Sequence, residues 1–380
     1  MTQQSDKAWR LASDEFPMTG TSVEKLIYAV RCAVLAPSPY NTQPWAFDIQ
    51  GATVSVYADR RYGLPVTDPD DRGMVIAVSS ALYNLCLALR VHGEGYDMEL
   101  MPDPSRESLI AKVGLTGQYK ELPGDHPDHA RFKALTDFSY NRGVFAQKPV
   151  PADLLKGLRE SVAAENAWLY IVPEAEKETF LQMVPEADLI QLANQSFRRE
   201  LSIWSDRRRV ASHDGLPAYA QGFSKLMNSR KPHVMRRFLN KDGEVVSDEE
   251  LIAGVPVLAI LGSVTGGPLD RIATGQAFMR ACLKASAAGL SVSPLSQLCE
   301  VPEVRLKLHD ALSQQGRAHM ALRIGYAETP PEKPDKRPLG EVLTIEGVPY
   351  CVDPFQRDEK EQRKGGFFRR FSKVFLAKQQ

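Results

Sequence analysis

Apolar residues recur at helical spacing across residues 79–91, where Leu82, Leu85 and Leu89 share a face with small neighbours, and Gly93 stands where such a helix stops. Residues 274–288 repeat the pattern and end at Gly289. Laid on each other at a single offset, the two segments match Ala81 with Ala277, Cys86 with Cys282, Leu87 with Leu283 and Gly93 with Gly289. Each is followed by a strand-like run that closes on a basic residue, a β-branched residue and glycine, Lys112-Val113-Gly114 and Arg323-Ile324-Gly325. Four identities alone would pass for coincidence; the shared order of helix, glycine, strand and glycine predicts a diverged duplication.

A further helix is predicted over residues 22–35. Strands are predicted at 46–49 and 53–57 around a tight turn at Gln50-Gly51, and at 255–261. Sequence-adjacent strands mixed with long helices, without regular βαβ alternation, predict an α+β architecture rather than a doubly wound parallel sheet. Residues 173–250 are patterned mostly as helix and interrupt the second half, as an insertion or lid. The chain thus divides into a first half at 22–130, a second half at 131–350 and a tail at 351–380.

Composition narrows the picture modestly. In 380 residues, 47 Lys and Arg balance 47 Asp and Glu, so net charge offers no reason to expect a nucleic-acid partner. The five cysteines (Cys32, Cys86, Cys282, Cys299, Cys351) form no CxxC pair and sit mostly in apolar runs. That pattern points to buried thiols in a reducing compartment and to no metal site. The first ten residues are polar, unlike a signal peptide, and the expected location is cytoplasmic.

The most informative stretch is Ala36-Pro37-Ser38-Pro39-Tyr40-Asn41-Thr42-Gln43-Pro44-Trp45. Two prolines stop the preceding helix and place Ser38, Asn41 and Gln43 on a constrained loop. Their side chains either complete turns or bond the carbonyls and ring nitrogens of a flat heteroaromatic ligand. Residue chemistry alone leaves both readings open.

The string Pro-Ser-x-x-Asn-x-Gln-Pro-Trp resembles the flavin-binding signature of the nitroreductase superfamily, in particular its long single-chain Acg-like branch. The resemblance continues through Asp68-Pro69-x-x-Arg72, Asn141-Arg142-x-x-Phe145, Pro294-Leu295-Ser296-Gln297, Arg323-Ile324-Gly325-Tyr326 and Arg337-Pro338-Leu339. It implies a nitroreductase-like fold whose two similar halves form an intramolecular pseudo-dimer around FMN. On the same resemblance Ser38, Asn41 and Gln43 bind the flavin, Arg142 and Arg337 bind its phosphate, and the backbone of Pro294, Leu295 and Ser296 lies near N5, the hydride-carrying atom. No catalytic side chain and no metal are implied. One departure stands out: where the family's phosphate motif commonly begins with Arg and has Ser or Thr at its centre, this chain has Phe138, Ser139 and Tyr140. Arg60, Arg61 and Lys336 are the candidates to make up the lost contact.

The implied activity is NAD(P)H-dependent reduction of a nitroaromatic, quinone or similar small acceptor, with NADP-type and NAD-type donors both open. The alternative is a flavin storage or sequestration protein whose lid blocks its FMN. Arg198-Arg199, Arg207-Arg208-Arg209, Arg230-Lys231 and Arg236-Arg237 form either an anion-attracting lid or a solvated helical face. In the tail, Phe367, Phe368, Phe371, Val374 and Phe375 oppose Arg369, Arg370 and Lys373 at helical spacing, a pattern suited to an anionic membrane surface or a partner protein. A fused pseudo-dimer is compatible with either a monomer or a homodimer.

Overall fold

The computed structural model describes residues 9, 11, 13–216, 255–314 and 316–351. The first half runs α1 (Ser22–Ala33), β1 (Trp45–Gln50), β2 (Thr53–Ala58), α2 (Arg72–Val91), β3 (Glu94–Leu100) and β4 (Leu109–Tyr119), followed by the short α3 (Pro127–Lys133). The second half begins with α4 (Ala152–Ala163) and β5 (Trp168–Ile171), then carries the helices α5 (Glu174–Leu181), α6 (Met183–Ala193) and α7 (Gln195–Trp204). It resumes with β6 (Val257–Ser263), α8 (Pro268–Ala287), β7 (Ser291–Pro294), α9 (Gln297–Glu300), α10 (Pro302–Ala311) and β8 (Arg317–Gly325), and closes with α11 (Leu339–Val342), β9 (Leu343–Ile345) and β10 (Val348–Pro349).

With the added helices set aside, both halves read helix, strand, strand, helix, strand, strand. Their sheets have corresponding orders, β1-β2-β4-β3 and β5-β6-β8-β7. Every neighbouring pair in these two series is antiparallel. The architecture is α+β, and the helix match seen in sequence extends to whole elements: α2 and α8 are each 20 residues long and begin and end in register with the four identities. Gly93 and Gly289 follow them at φ of 76° and 72°, the left-handed conformation that lets a glycine end a helix.

The two central helices pack on each other, and Gly275 sets their approach. A Cβ at Gly275 would lie 2.4 Å from the Ile76 carbonyl oxygen and 2.6 Å from the Ser79 Cβ. Ser80 Oγ donates to the Gly275 carbonyl at 3.0 Å across the junction. Helix α2 is apolar and long enough to cross a membrane, but it is buried inside the protein, as a core helix is.

The second half also lends its trailing segment to the first: strand β9 pairs in parallel with β1, Phe47 opposite Leu343 and Ile49 opposite Ile345. The segment before α4 stays with the second half, where Phe145 bridges Ala327 and the Asn141 and Ala146 N–H groups donate to Val292 and Tyr326 at 2.9 and 2.8 Å.

Several element boundaries differ from the sequence expectation. Both central helices start six or seven residues earlier than their apolar pattern: the first turns of α2 bury Arg72, Met74 and Ile76, whereas α8 opens on exposed Pro268 and Leu269 before its buried stretch begins at Ile272. In the β1–β2 hairpin the pairing of Gln50 with Thr53 places Gly51-Ala52, not Gln50-Gly51, at the turn. Four cysteines are buried and free, as expected, whereas Cys351 is exposed. The predicted tail helix lies outside the described residues, as does the insertion between 217 and 254.

Candidate functional site

Helix α1 starts on a capping box, with Thr21 and Glu24 each accepting from the other's backbone N–H, and ends just before the proline-rich loop. In that loop Tyr40, Asn41 and Gln43 all adopt positive φ, at 48°, 52° and 52°. Three non-glycine residues in the left-handed region within four positions are costly, and they persist only where the surroundings hold them. Here the Gln43 N–H donates to Ser38 Oγ at 2.9 Å and Gln43 Nε2 donates to the His213 carbonyl at 2.8 Å. The Arg337 N–H donates to Gln43 Oε1 at 2.9 Å, and Asn41 Nδ2 donates to the Asp335 carbonyl at 3.0 Å. The strained loop is thus clamped by the C-terminal segment and by the end of the helical insertion.

Two cavities adjoin this loop and share Pro37 and Tyr140 in their walls. The smaller, partly open to solvent, is lined by Ser38, Asn41, Ser139, Arg142 and Lys336 together with Trp9 and Phe138. The larger, about 620 Å³ and partly open to solvent, has apolar walls from Leu64, Ile76, Ala77, Phe278 and Met320. Its remaining lining includes Pro294 and Ser296, and the polar residues Thr67, Asp68, Arg72, Glu300 and His319.

The smaller cavity carries two basic side chains, Arg142 and Lys336. Lys336 is buried, and its Nζ donates to the Ala36 carbonyl at 2.6 Å. Burial, reinforced by the Arg142 charge, pushes the lysine down to about 7. An ammonium so destabilised gains from any anion placed beside it, and the Arg142 guanidinium and Ser38 hydroxyl line the same cavity, whereas the Ser139 hydroxyl donates to the Glu332 carbonyl at 2.6 Å.

The sequence candidates separate on this geometry. Ser38, Asn41 and Arg142 come together at the smaller cavity, and Pro294 and Ser296 at the larger. Gln43 and Arg337 line neither. Gln43 is wholly buried as the loop's brace, while Arg337 stacks 3.7 Å over the Tyr62 ring and donates to the Gln43 carbonyl and to Glu341. The basic residue that joins Arg142 at the cavity is Arg337's neighbour Lys336, one position earlier in the chain. Arg60 and Arg61 lie at the surface, paired with Asp71, Glu107 and Asp59. Leu295 is packed in the core and its N–H donates to the Ala321 carbonyl at 2.7 Å. Pro294 has no N–H to give.

Tyr140 does not substitute for a small hydroxyl residue; its ring stands between the two cavities, beside Phe138 and Phe278. Sequence reasoning missed His319. Burial, with help from Arg72 and Arg271, pushes this imidazole down to about 4 and keeps it neutral. Its Nδ1 and the Nε of Arg72 are both buried without a hydrogen-bond partner. Unpaired buried polar atoms in residues that line a cavity fit a ligand-binding role.

Relatives were found at the level of sequence. A Mycobacterium tuberculosis protein provisionally named NAD(P)H nitroreductase is 27% identical over 300 residues, covering 78% of this chain and 83% of the relative. Another, provisionally named NAD(P)H nitroreductase Acg from the same organism, is 22% identical over 340 residues, covering 87% and 98%. Among solved structures, the FMN-dependent nitroreductase NfnB of Mycobacterium smegmatis in complex with NADPH aligns with 94% of its own chain and 54% of this one, at 14% identity and a TM-score of 0.35. No family model matches the chain. The chain is thus similar, over most of its length, to relatives provisionally named NAD(P)H nitroreductases, the long Acg protein among them.

Proposed function

We propose that this chain is an FMN-holding oxidoreductase that draws electrons from NAD(P)H and delivers them to a small aromatic acceptor. The observation that carries this reading is the pair of adjoining cavities, one lined by the basic side chains Arg142 and Lys336, the other with mostly apolar walls, meeting at Pro37 and Tyr140. The residues fit FMN: Lys336, Arg142, Ser38 and Asn41 would hold the phosphate, and the apolar walls of the larger cavity would enclose the ring. When bound, FMN supplies the hydride chemistry, so no nucleophile or metal is required of the protein. The chain's own residues neutralise the phosphate, exclude water from the ring and fix its position. The matching topology of the halves and the pairing of β9 with the first sheet support a fused pseudo-dimer, with the site at the junction. Retention tests the assignment: protein loaded with FMN and desalted keeps one flavin per chain, and a chain that releases it completely contradicts the reading.

The storage alternative is favoured by a specific contact. Glu200, on α7 of the insertion, is buried and accepts from the Val66 N–H at 2.9 Å, the Thr67 N–H at 2.9 Å and the Thr67 hydroxyl at 2.5 Å. Thr67 lines the larger cavity, so the insertion is latched to its rim. A second tie joins the Gly215 N–H to the Asn41 carbonyl at 3.3 Å. Three hydrogen bonds to one carboxylate hold a lid closed against nicotinamide. Glu200→Ala is expected to speed flavin reduction by NADPH about tenfold or more, on the scale of one lost charged hydrogen bond, in stopped-flow absorbance. An unchanged rate would remove the latch from the account.

The basic stretch of the insertion behaves as a solvated face where it is described. Arg208 pairs with Asp206, and Arg209 pairs with Asp214 and stacks over Trp204. We place the protein in a reducing compartment, on the free buried thiols. A role for residues 367–375 at a membrane or partner remains part of the proposal, supported by their pattern alone.

A further inference from the structure

We propose that Trp9, in the segment ahead of α1, is a cofactor-retaining residue: its indole walls the smaller cavity around Lys336 and lengthens the stay of a phosphate-bearing flavin. The proposal rests on reading this cavity as the FMN phosphate site. Trp9 precedes both repeated halves and lies outside the strings that resemble the family signature. It is nonetheless only 8% exposed, and it lines the cavity beside Ser38, Arg142 and Lys336. Two anchors hold its segment there. The indole Nε1–H donates to the Pro334 carbonyl at 3.0 Å, in the same stretch of chain that carries Lys336. Further along, Phe16 stacks on His92, the residue that ends α2, with ring centroids 4.1 Å apart.

The Trp9 ring also faces a charge. Lys336 Nζ lies 5.4 Å from its centroid and 5.8 Å from that of Trp45, so two indoles and the Ala36 carbonyl hold the ammonium. An aromatic face stabilises a cation without neutralising it, which leaves the ammonium its full attraction for an anion. That attraction strengthens as water is kept away, because the interaction of opposite charges grows as the local dielectric falls. Lys336 is moreover desolvated before any ligand arrives, so an incoming phosphate does not have to strip water from it. A small residue at position 9 opens Nζ to water, which then competes with the phosphate. Trp9 does not line the larger cavity, so its effect is confined to the phosphate end of the ligand.

The test compares FMN with riboflavin, which has the same ring system and no phosphate. Flavin-free protein is titrated with each, followed by flavin fluorescence, and release is timed after dilution. In Trp9→Ala, FMN is expected to bind about tenfold more weakly and to leave about tenfold faster, while riboflavin changes by less than about twofold. Trp9→Phe, which keeps a ring over Lys336, is expected to hold FMN within about threefold of the unmodified protein. Unchanged FMN affinity and release in Trp9→Ala overturn the proposal. So does an equal weakening of FMN and riboflavin, since that makes Trp9 a packing residue of the fold. Should Trp9→Ala fail to fold, Trp9→Leu, apolar but without a π face, replaces it with the same direction of change expected and the same two results against it. An unmodified protein that takes up neither flavin defeats the FMN reading itself, and the proposal with it.

Discussion

Replacing Lys336 with Met lowers the affinity for FMN by about 100-fold, equivalent to about 2.7 kcal/mol, the scale of a desolvated charge-assisted contact. The flavin-free protein is not expected to lose stability with it. Lys336 in the absence of an anion is a buried ammonium held by one carbonyl and the faces of the Trp9 and Trp45 rings, pushed down to about 7, so part of its cost disappears when the charge is removed. The same residue gives a pH signature. Its folded value lies below the unfolded one of about 10.5, so the unfolded chain binds more protons between pH 7 and about 10.5. Flavin-free protein therefore gains stability from this group as pH rises through that window, with the penalty fully present below it. A bound phosphate raises the folded value and flattens the slope. Equilibrium binding followed by flavin fluorescence, with thermal unfolding at several pH values, checks both statements. Full affinity in Lys336→Met would move the phosphate site elsewhere.

Gly275→Ala destabilises the protein by about 2–3 kcal/mol, the upper range for overpacking, because the new methyl meets backbone across the helix junction. The Ile76 carbonyl oxygen at 2.4 Å cannot swing aside as a side chain would. Ile76 and Phe278 both line the larger cavity, so the separation of α2 and α8 that relieves the clash also loosens flavin binding. Gly289→Ala serves as the control: nothing lies within 4 Å of its would-be Cβ, and only the left-handed φ of 72° is strained, at about 1 kcal/mol. Denaturant unfolding of the two variants separates crowding at the junction from strain at a helix end. Equal, small effects would argue that the central helices are not held as closely as described.

The repeat was legible in sequence because helix ends and core positions leave marks there: small and apolar residues at matching places, and a glycine where the chain must turn left-handed. The loop from Pro37 to Trp45 was legible for the same reason, since prolines and short polar residues announce a constrained path. What the local pattern does not encode is which of two adjacent residues faces inward. Lys336 and Arg337 are equally plausible by chemistry; their separation is set by tertiary contacts to Ala36 on one side and to Tyr62 and Gln43 on the other. Gln43 reads as a ligand contact in sequence, but its amide is consumed by His213 and Arg337, residues 170 and 294 positions away. His319 was hidden inside an apolar strand, where a lone histidine carries no signal until its neighbours Ser263 and Arg72 are known. The exchange of β9 into the first sheet was equally invisible, because three residues in a strand make too short a pattern to assign a partner.

The most direct measurement is an anaerobic absorbance titration of the flavin-loaded protein with NADPH and then NADH, finished with dithionite. The account predicts a protein-bound flavin band that a nicotinamide bleaches, slowly while the Glu200 latch is intact. A chain that shows no bound flavin band after loading contradicts the central claim, and a band that only dithionite bleaches, in the Glu200→Ala variant as well, contradicts the oxidoreductase assignment.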